Sequence, residues 1–216
     1  MARTKSLNFI CFIFNILNVV LVSVCVYYFF AIGGTGNMEV QGVKCFKFFT
    51  VDSNILMALF SIPVMIYEIT NVIYSKNRMP KAVIVLKYIG TVAVMVTFLT
   101  TALFLPQFYD IKFLFEGINF YLHLICPLFA FVSFLVETQE EIKTRSIIFG
   151  TLPVIIYGAI YIYMVKFSLE WEDFYGFDSD GYGYLAYIIM ILLTLLLSFL
   201  ILKLHKITKE KLIQYK

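Results

Sequence analysis

Apolar runs dominate the chain, and short polar or charged stretches interrupt them at regular intervals. Six runs are long enough for membrane helices: about Leu7–Ile32, Phe46–Tyr74, Ala82–Leu105, Phe113–Val136, Ile147–Val165 and Tyr182–Leu202. Each meets or approaches the ~20 residues a helix needs to cross the hydrocarbon core. Pro106 closes the third run, and the longest connections are Gly33–Cys45 and Lys166–Gly181. No internal repeat is visible, so the usual sequence signal of an inverted-repeat transporter is missing. The pattern predicts an all-α polytopic membrane protein, with residues 1–216 forming a single six-helix integral membrane domain.

Composition agrees with the pattern. The chain is 61% hydrophobic and 18% aromatic, with mean hydropathy +0.88, well outside the range of soluble domains. The first run is longer than the ~7–15 apolar residues of a signal peptide. No A-x-A site follows it, and bulky Val24 spoils the lipobox-like Leu21–Cys25, so it is expected to be retained as the first helix. Net charge is only +3, but its distribution is informative. Arg3, Lys5, Lys76, Arg78, Lys81, Lys143, Arg145, Lys203, Lys206, Lys209, Lys211 and Lys216 fall on one side of a six-span topology. Lys44, Lys47, Lys112 and Lys166 fall on the other. The positive-inside rule then places both termini in the cytoplasm of a cell-membrane protein. Lys87 lies inside span three near the basic side and is expected to snorkel outward. The richness in Phe, Ile, Tyr and Lys suggests an AT-rich bacterial source.

Several function classes drop out. There is no basic tract interleaved with polar residues, so nucleic acid is not an expected partner. Cys11, Cys25, Cys45 and Cys126 form no CxxC pair and no cluster at metal-ligand spacing, so neither a metal nor another cofactor is expected. A haem needs more ligands than His123 alone provides. Asp178-Ser179-Asp180-Gly181 resembles part of a calcium loop, but Gly176 and Tyr187 fall at the first and twelfth ligand positions, where the frame fails.

The informative residues are polar ones within apolar helices. An ionisable side chain inside a membrane segment points to function by default. At ~100° per residue, Thr50, Asn54, Met57, Ser61 and Glu68 share one face of span two, with Asp52 nearly opposite. Glu116, Asn119, His123, Pro127, Ala130 and Glu137 form a stripe on span four. Both stripes enter from the same side, which predicts a cavity opening there. Glu116, Met57, Ser61 and Pro127 are expected to line it. Thr50 and His123 would form a nucleophile–base pair, since neutral imidazole can take a hydroxyl proton near neutral pH. Asn54 and Ser53 would support the site or donate to an oxyanion, and Asn119 would fix the imidazole tautomer.

Structural readings compete with each of these. A membrane Thr hydroxyl can bond its own helix carbonyl, and Asn54 or His123 can simply join helices. Glu68 and Asn71 would reach the cytoplasmic interface, while Glu137, Glu140 and Glu141 would form a solvated face. The loop Lys166–Gly181 reads as a solvated loop with interfacial aromatics or, alternatively, as a lid. Counted from the predicted helix ends, His123 sits about ten residues deep and Thr50 about four, a mismatch of roughly 9 Å.

Two segments carry a resemblance. Phe48-Phe49-Thr50-Val51-Asp52-Ser53-Asn54 resembles the FxT-x-x-SN signature of the Pr6Pr-type bacterial membrane proteins, relatives of the androgen-induced and androgen-dependent membrane hydrolases. Asn119 through His123 to Pro127 is similar to their N-x-x-x-H-x-x-x-P signature. The resemblance covers six spans, with the motifs on spans two and four. It implies a threonine hydrolase of fatty acid esters of hydroxy fatty acids, with Thr50 as nucleophile and His123 as base. The expected partners are a lipid or fatty-acyl ester substrate and the surrounding membrane lipids. Because Thr50 is internal, the mechanism of N-terminal threonine enzymes does not apply. The opposing reading is a non-enzymatic transporter, channel or lipid-binding protein that uses the same polar cavity.

Overall fold

Six apolar helices form where the runs predict them: Ser6–Ala31, Phe49–Tyr74, Lys81–Gln107, Gly117–Leu135, Ser146–Phe167 and Gly183–Leu212, called spans one to six. The structure, a computed structural model, describes residues 5–33, 41–74, 79–137, 142–178 and 181–214. Arg3, Lys76, Arg78, Lys216, Glu140, Glu141, Ser179 and Asp180 lie outside these residues. The fold is a multi-pass helical membrane bundle without strands among the described residues.

Span three is the central helix. Buried residues make up 61% of its apolar window, against 22–50% for the other spans. It packs on spans two, four, five and six, while span one lies along span two. The outward faces carry exposed Leu, Ile and Phe side chains such as Leu59, Ile66, Ile156, Ile188 and Leu192, the surface expected of a bundle solvated by lipid. Spans two and three approach closely because residue 90 is glycine. A Cβ there would lie 3.0 Å from both Cα and Sδ of Met57. Small residues at such crossings allow the van der Waals packing that drives helix association in lipid.

Two apolar clusters sit at opposite ends of the bundle. One gathers Phe29, Phe48, Leu105, Leu114, Leu122, Tyr161, Phe174 and Tyr175. The other gathers Ile84, Tyr88, Phe134, Ile142 and Ile201, with Tyr88 donating to the Ser198 carbonyl at 2.7 Å to tie span three to span six.

The second end overturns three expectations. Lys87 is fully buried instead of snorkelling, because neighbouring helices supply its partners: its Nζ donates to Ser61 Oγ at 3.0 Å and to Asn15 Oδ1. Glu68 and Glu137 are also buried, and both lie within electrostatic reach of Lys87. Neither one is an interfacial or solvated side chain. Cys11, Glu68 and Glu137 bring possible ligand atoms within 4.8 Å of one another, and the Lys87 ammonium supplies positive charge to that group. A buried ionic cluster of this kind avoids the cost of isolated charges in an apolar medium.

Span four also starts later than predicted. Asp110 caps a one-turn helix, Ile111–Leu114, by accepting from the Lys112 N–H at 2.7 Å. Glu116 is extended, and Gly117 takes the left-handed region at φ 56°, which glycine enters without a Cβ clash. The chain therefore folds back before span four begins. We expect Gly90→Leu to overpack the crossing of spans two and three and to destabilise the fold by about 1–3 kcal/mol. Thermal unfolding in detergent would measure this, and an unchanged melting temperature would contradict the close-approach reading.

Candidate active site

Thr50 lies in the first turn of span two. Phe48 is extended, and its carbonyl accepts the N–H groups of Val51 at 3.0 Å and Asp52 at 3.2 Å. His123 lies in a π-helical turn, Tyr121–Ile125, inside span four. Pro127 follows that turn. It has no N–H to return to the His123 carbonyl four residues back, which loosens the α-helical ladder there. π-turns of this kind recur at functional sites because they re-aim side chains.

The geometry brings the pair together: Thr50 Oγ1 and His123 Nε2 are 3.2 Å apart. The other ring nitrogen fixes the protonation pattern. His123 Nδ1 lies 2.6 Å from the Leu114 carbonyl oxygen. A carbonyl can only accept, so Nδ1 carries the hydrogen and the lone pair of the neutral ring sits on Nε2, facing the Thr50 hydroxyl. Residues 111–114 pack back alongside span four to reach His123. Counting helical rise from Phe113 therefore overstated its depth.

The supporting residues take more specific places than the sequence suggested. Asn54 Nδ2 donates to the Thr50 carbonyl at 2.7 Å and, across to span four, to the Leu122 carbonyl at 3.1 Å, clamping the Thr50 and His123 segments together. Both of its amide hydrogens are thereby committed, so it acts as a support and does not donate to an oxyanion. Its buried Oδ1 has no hydrogen-bond partner among the described residues. Ser53 Oγ exchanges a hydrogen bond with Thr97 Oγ1 at 2.8 Å, joining span two to span three. Asn119 does not touch the imidazole through a hydrogen bond. Its Nδ2 donates to the Phe113 carbonyl at 3.0 Å and so holds the turn that presents Leu114; the Leu114 carbonyl sets the tautomer.

Two apolar chambers meet at this pair. One runs from Thr50, Thr97, Thr100 and Thr101 past Tyr157 and Tyr161 to Lys166 and Asp178. The other is lined by Phe29, Phe48, Tyr109, Leu114, Asn119 and His123, among others. Thr50, Leu105 and Tyr175 line both. Four expected cavity residues lie elsewhere. Met57 is buried against Gly90 and Thr91, and Ser61 is engaged by Lys87. Pro127 is buried behind the π-turn, while Glu116 is exposed at the bend before span four.

The loop between spans five and six closes the site, as the lid alternative anticipated. Asp173 is its hub: Oδ1 accepts from Tyr161 Oη at 2.7 Å and from the Phe177 N–H at 3.0 Å, and Oδ2 accepts from the Asp178 N–H at 2.7 Å. Tyr109 Oη donates to the Phe174 carbonyl at 2.6 Å. Asp178 pairs with Lys166 at 2.8 Å and accepts from the Gly183 N–H at 2.9 Å; hydrogen bonding to the Lys166 ammonium holds its carboxyl below the usual range. Phe174 and Tyr175 are buried beneath this loop. These aromatics pack into the bundle instead of forming the interfacial belt that their residue types equally suit. The available signal was the i, i+4 pair Tyr157 and Tyr161, which places two hydroxyls on one face of span five.

No family model, curated protein or solved structure matches the chain. The site geometry makes a prediction about Asn54. Asn54→Leu removes the hydrogen bond that joins span two to the Leu122 carbonyl beside His123, and membrane interhelical hydrogen bonds contribute about 0.6–1.7 kcal/mol. Lower thermal stability and faster amide exchange across residues 121–125 are expected, and wild-type exchange there would refute the clamp.

Proposed function

We propose that the chain is a cell-membrane hydrolase of lipid esters, with Thr50 as nucleophile and His123 as general base. The observation that carries this reading is the 3.2 Å Thr50–His123 contact, with Nδ1 committed to Leu114, where two apolar chambers meet. A hydroxyl is a weak nucleophile until a positioned base takes its proton. In the reaction, Nε2 takes the Thr50 proton as Oγ1 attacks the ester carbonyl. The resulting imidazolium protonates the leaving alkoxide, leaving an acyl-threonine. Water deprotonated by Nε2 then attacks the acyl carbonyl, and Thr50 leaves with the proton restored. Leu114 stabilises the imidazolium throughout, because Nδ1–H···O=C strengthens when the ring is charged.

The two chambers suit an ester with an apolar arm on each side of the carbonyl. Fatty acid esters of hydroxy fatty acids meet that requirement, and the resemblance of both motifs to the membrane threonine hydrolases supports the same choice. Purified protein should hydrolyse such esters, and an acylating activity probe should label Thr50. Thr50→Ala and His123→Ala should each lower kcat by more than about a hundredfold. Absence of wild-type turnover, or turnover retained by both variants, would sink the reading.

One observation favours a second reading, a small transporter: Lys87, Glu68 and Glu137 are buried at the end of the bundle away from Thr50, and intramembrane charges commonly mark ion paths. Liposome flux that falls with Glu68→Gln and persists with Thr50→Ala would favour it.

A further inference from the structure

The reaction develops negative charge on the carbonyl oxygen, and neither Asn54 nor Ser53 is placed to meet it. Any ligand that occupies both chambers must pass the three residues common to them, Thr50, Leu105 and Tyr175. Leu105 is apolar. The two residues of the junction that carry hydroxyls are Thr50 and Tyr175.

Tyr175 is fixed in place by contacts to its backbone, its ring and its hydroxyl oxygen. Its backbone N–H donates to Tyr161 Oη at 3.2 Å, and its ring packs against Tyr157, Tyr161, Phe174 and Phe177. Its hydroxyl oxygen accepts from the Phe49 N–H at 2.9 Å. The phenol thus caps the helix that begins with the nucleophile's segment, satisfying an N–H that the helix cannot. An oxygen that accepts from the backbone still has its own O–H to donate. Tyr157 Oη donates to the Lys47 carbonyl at 2.6 Å, so its own proton is not directed at Tyr175. Burial pushes the Tyr175 phenol up to about 12, so it is a neutral donor at physiological pH.

Resting on the hydrolase reading, the geometry points to Tyr175 as a catalytic residue whose O–H donates to the oxyanion formed when Thr50 attacks the ester. As Oγ1 bonds to the carbonyl carbon, its proton moves to His123 Nε2 and the C=O π pair moves onto oxygen, where Tyr175 meets it. The pair returns to re-form C=O as the alkoxide departs with the proton from His123. The cap on Phe49 holds the phenol oxygen beside Thr50 throughout, so the donor is preorganised and needs only a hydroxyl rotation.

The test uses the intact protein in detergent or liposomes. It compares ester hydrolysis with binding of two inert analogues: an alkyl trifluoromethyl ketone, which Thr50 converts to a tetrahedral adduct, and an ether of the same chain length. Tyr175→Phe should lower kcat about a hundredfold with little change in KM. It should lose affinity for the ketone in parallel and keep affinity for the ether. Equal losses for ketone and ether would show only damaged packing and overturn the proposal, as would wild-type kcat in Tyr175→Phe. If Tyr175→Phe fails to fold, 3-fluorotyrosine at position 175 keeps the ring and the acceptor oxygen but makes the phenol more acidic. The alkaline limb of the activity profile should then shift to lower pH, and an unshifted limb overturns the assignment. A wild-type protein without turnover removes the hydrolase reading itself, whereas an active wild type with an indifferent Tyr175 removes only this inference.

Discussion

The hydrogen bond from His123 Nδ1 to the Leu114 carbonyl is the contact on which the rest of the site depends. It is a main-chain acceptor delivered by a chain reversal, so it cannot be rearranged by a side-chain rotation. It chooses which imidazole nitrogen faces Thr50. It also explains why span four begins at a left-handed glycine and why the preceding turn is held down by Asn119. Within an apolar bundle, a ring without such a partner would leave a polar atom unsatisfied at a cost of several kcal/mol. The bond therefore serves both stability and chemistry.

Much of the architecture was legible in the sequence because helix length and helical phase are local properties. The stripe of Asn54, Met57, Ser61 and Glu68 is buried as its phase requires, and the six spans follow from run length alone. The arrangement of the site was legible in part: residue type and the two motifs singled out Thr50 and His123, but not what fixes the ring. Leu114 offers only its backbone, which no side-chain pattern records. Lys87 was misplaced because snorkelling was judged from its own helix, while its partners come from spans one and two. The loop was ambiguous because an interfacial belt and a packed lid use the same aromatic residues. Only the tertiary placement of Asp173 separates them.

The bundle thus divides its polar residues between two ends with different physics. At one end, neutral hydroxyls and an imidazole line chambers with predominantly apolar walls. At the other, Lys87, Glu68 and Glu137 are buried in a packed core, and the Lys87 bonds to Asn15 and Ser61 join the first three spans. The ionic cluster rigidifies the scaffold, while the reactive end retains open space. This is the arrangement expected when a site must be held on rigid elements yet still admit a bulky ligand.

Tyr175 comes from a stretch of chain between spans five and six, whereas Thr50 and His123 come from spans two and four. During synthesis Thr50 and His123 emerge before Tyr175, the residue that walls both chambers and caps Phe49. Until the later segment emerges and docks, the two chambers have no shared tyrosine and Phe49 has no capping phenol. The order of residues along the chain thus delays completion of the site until the fold around it is nearly finished.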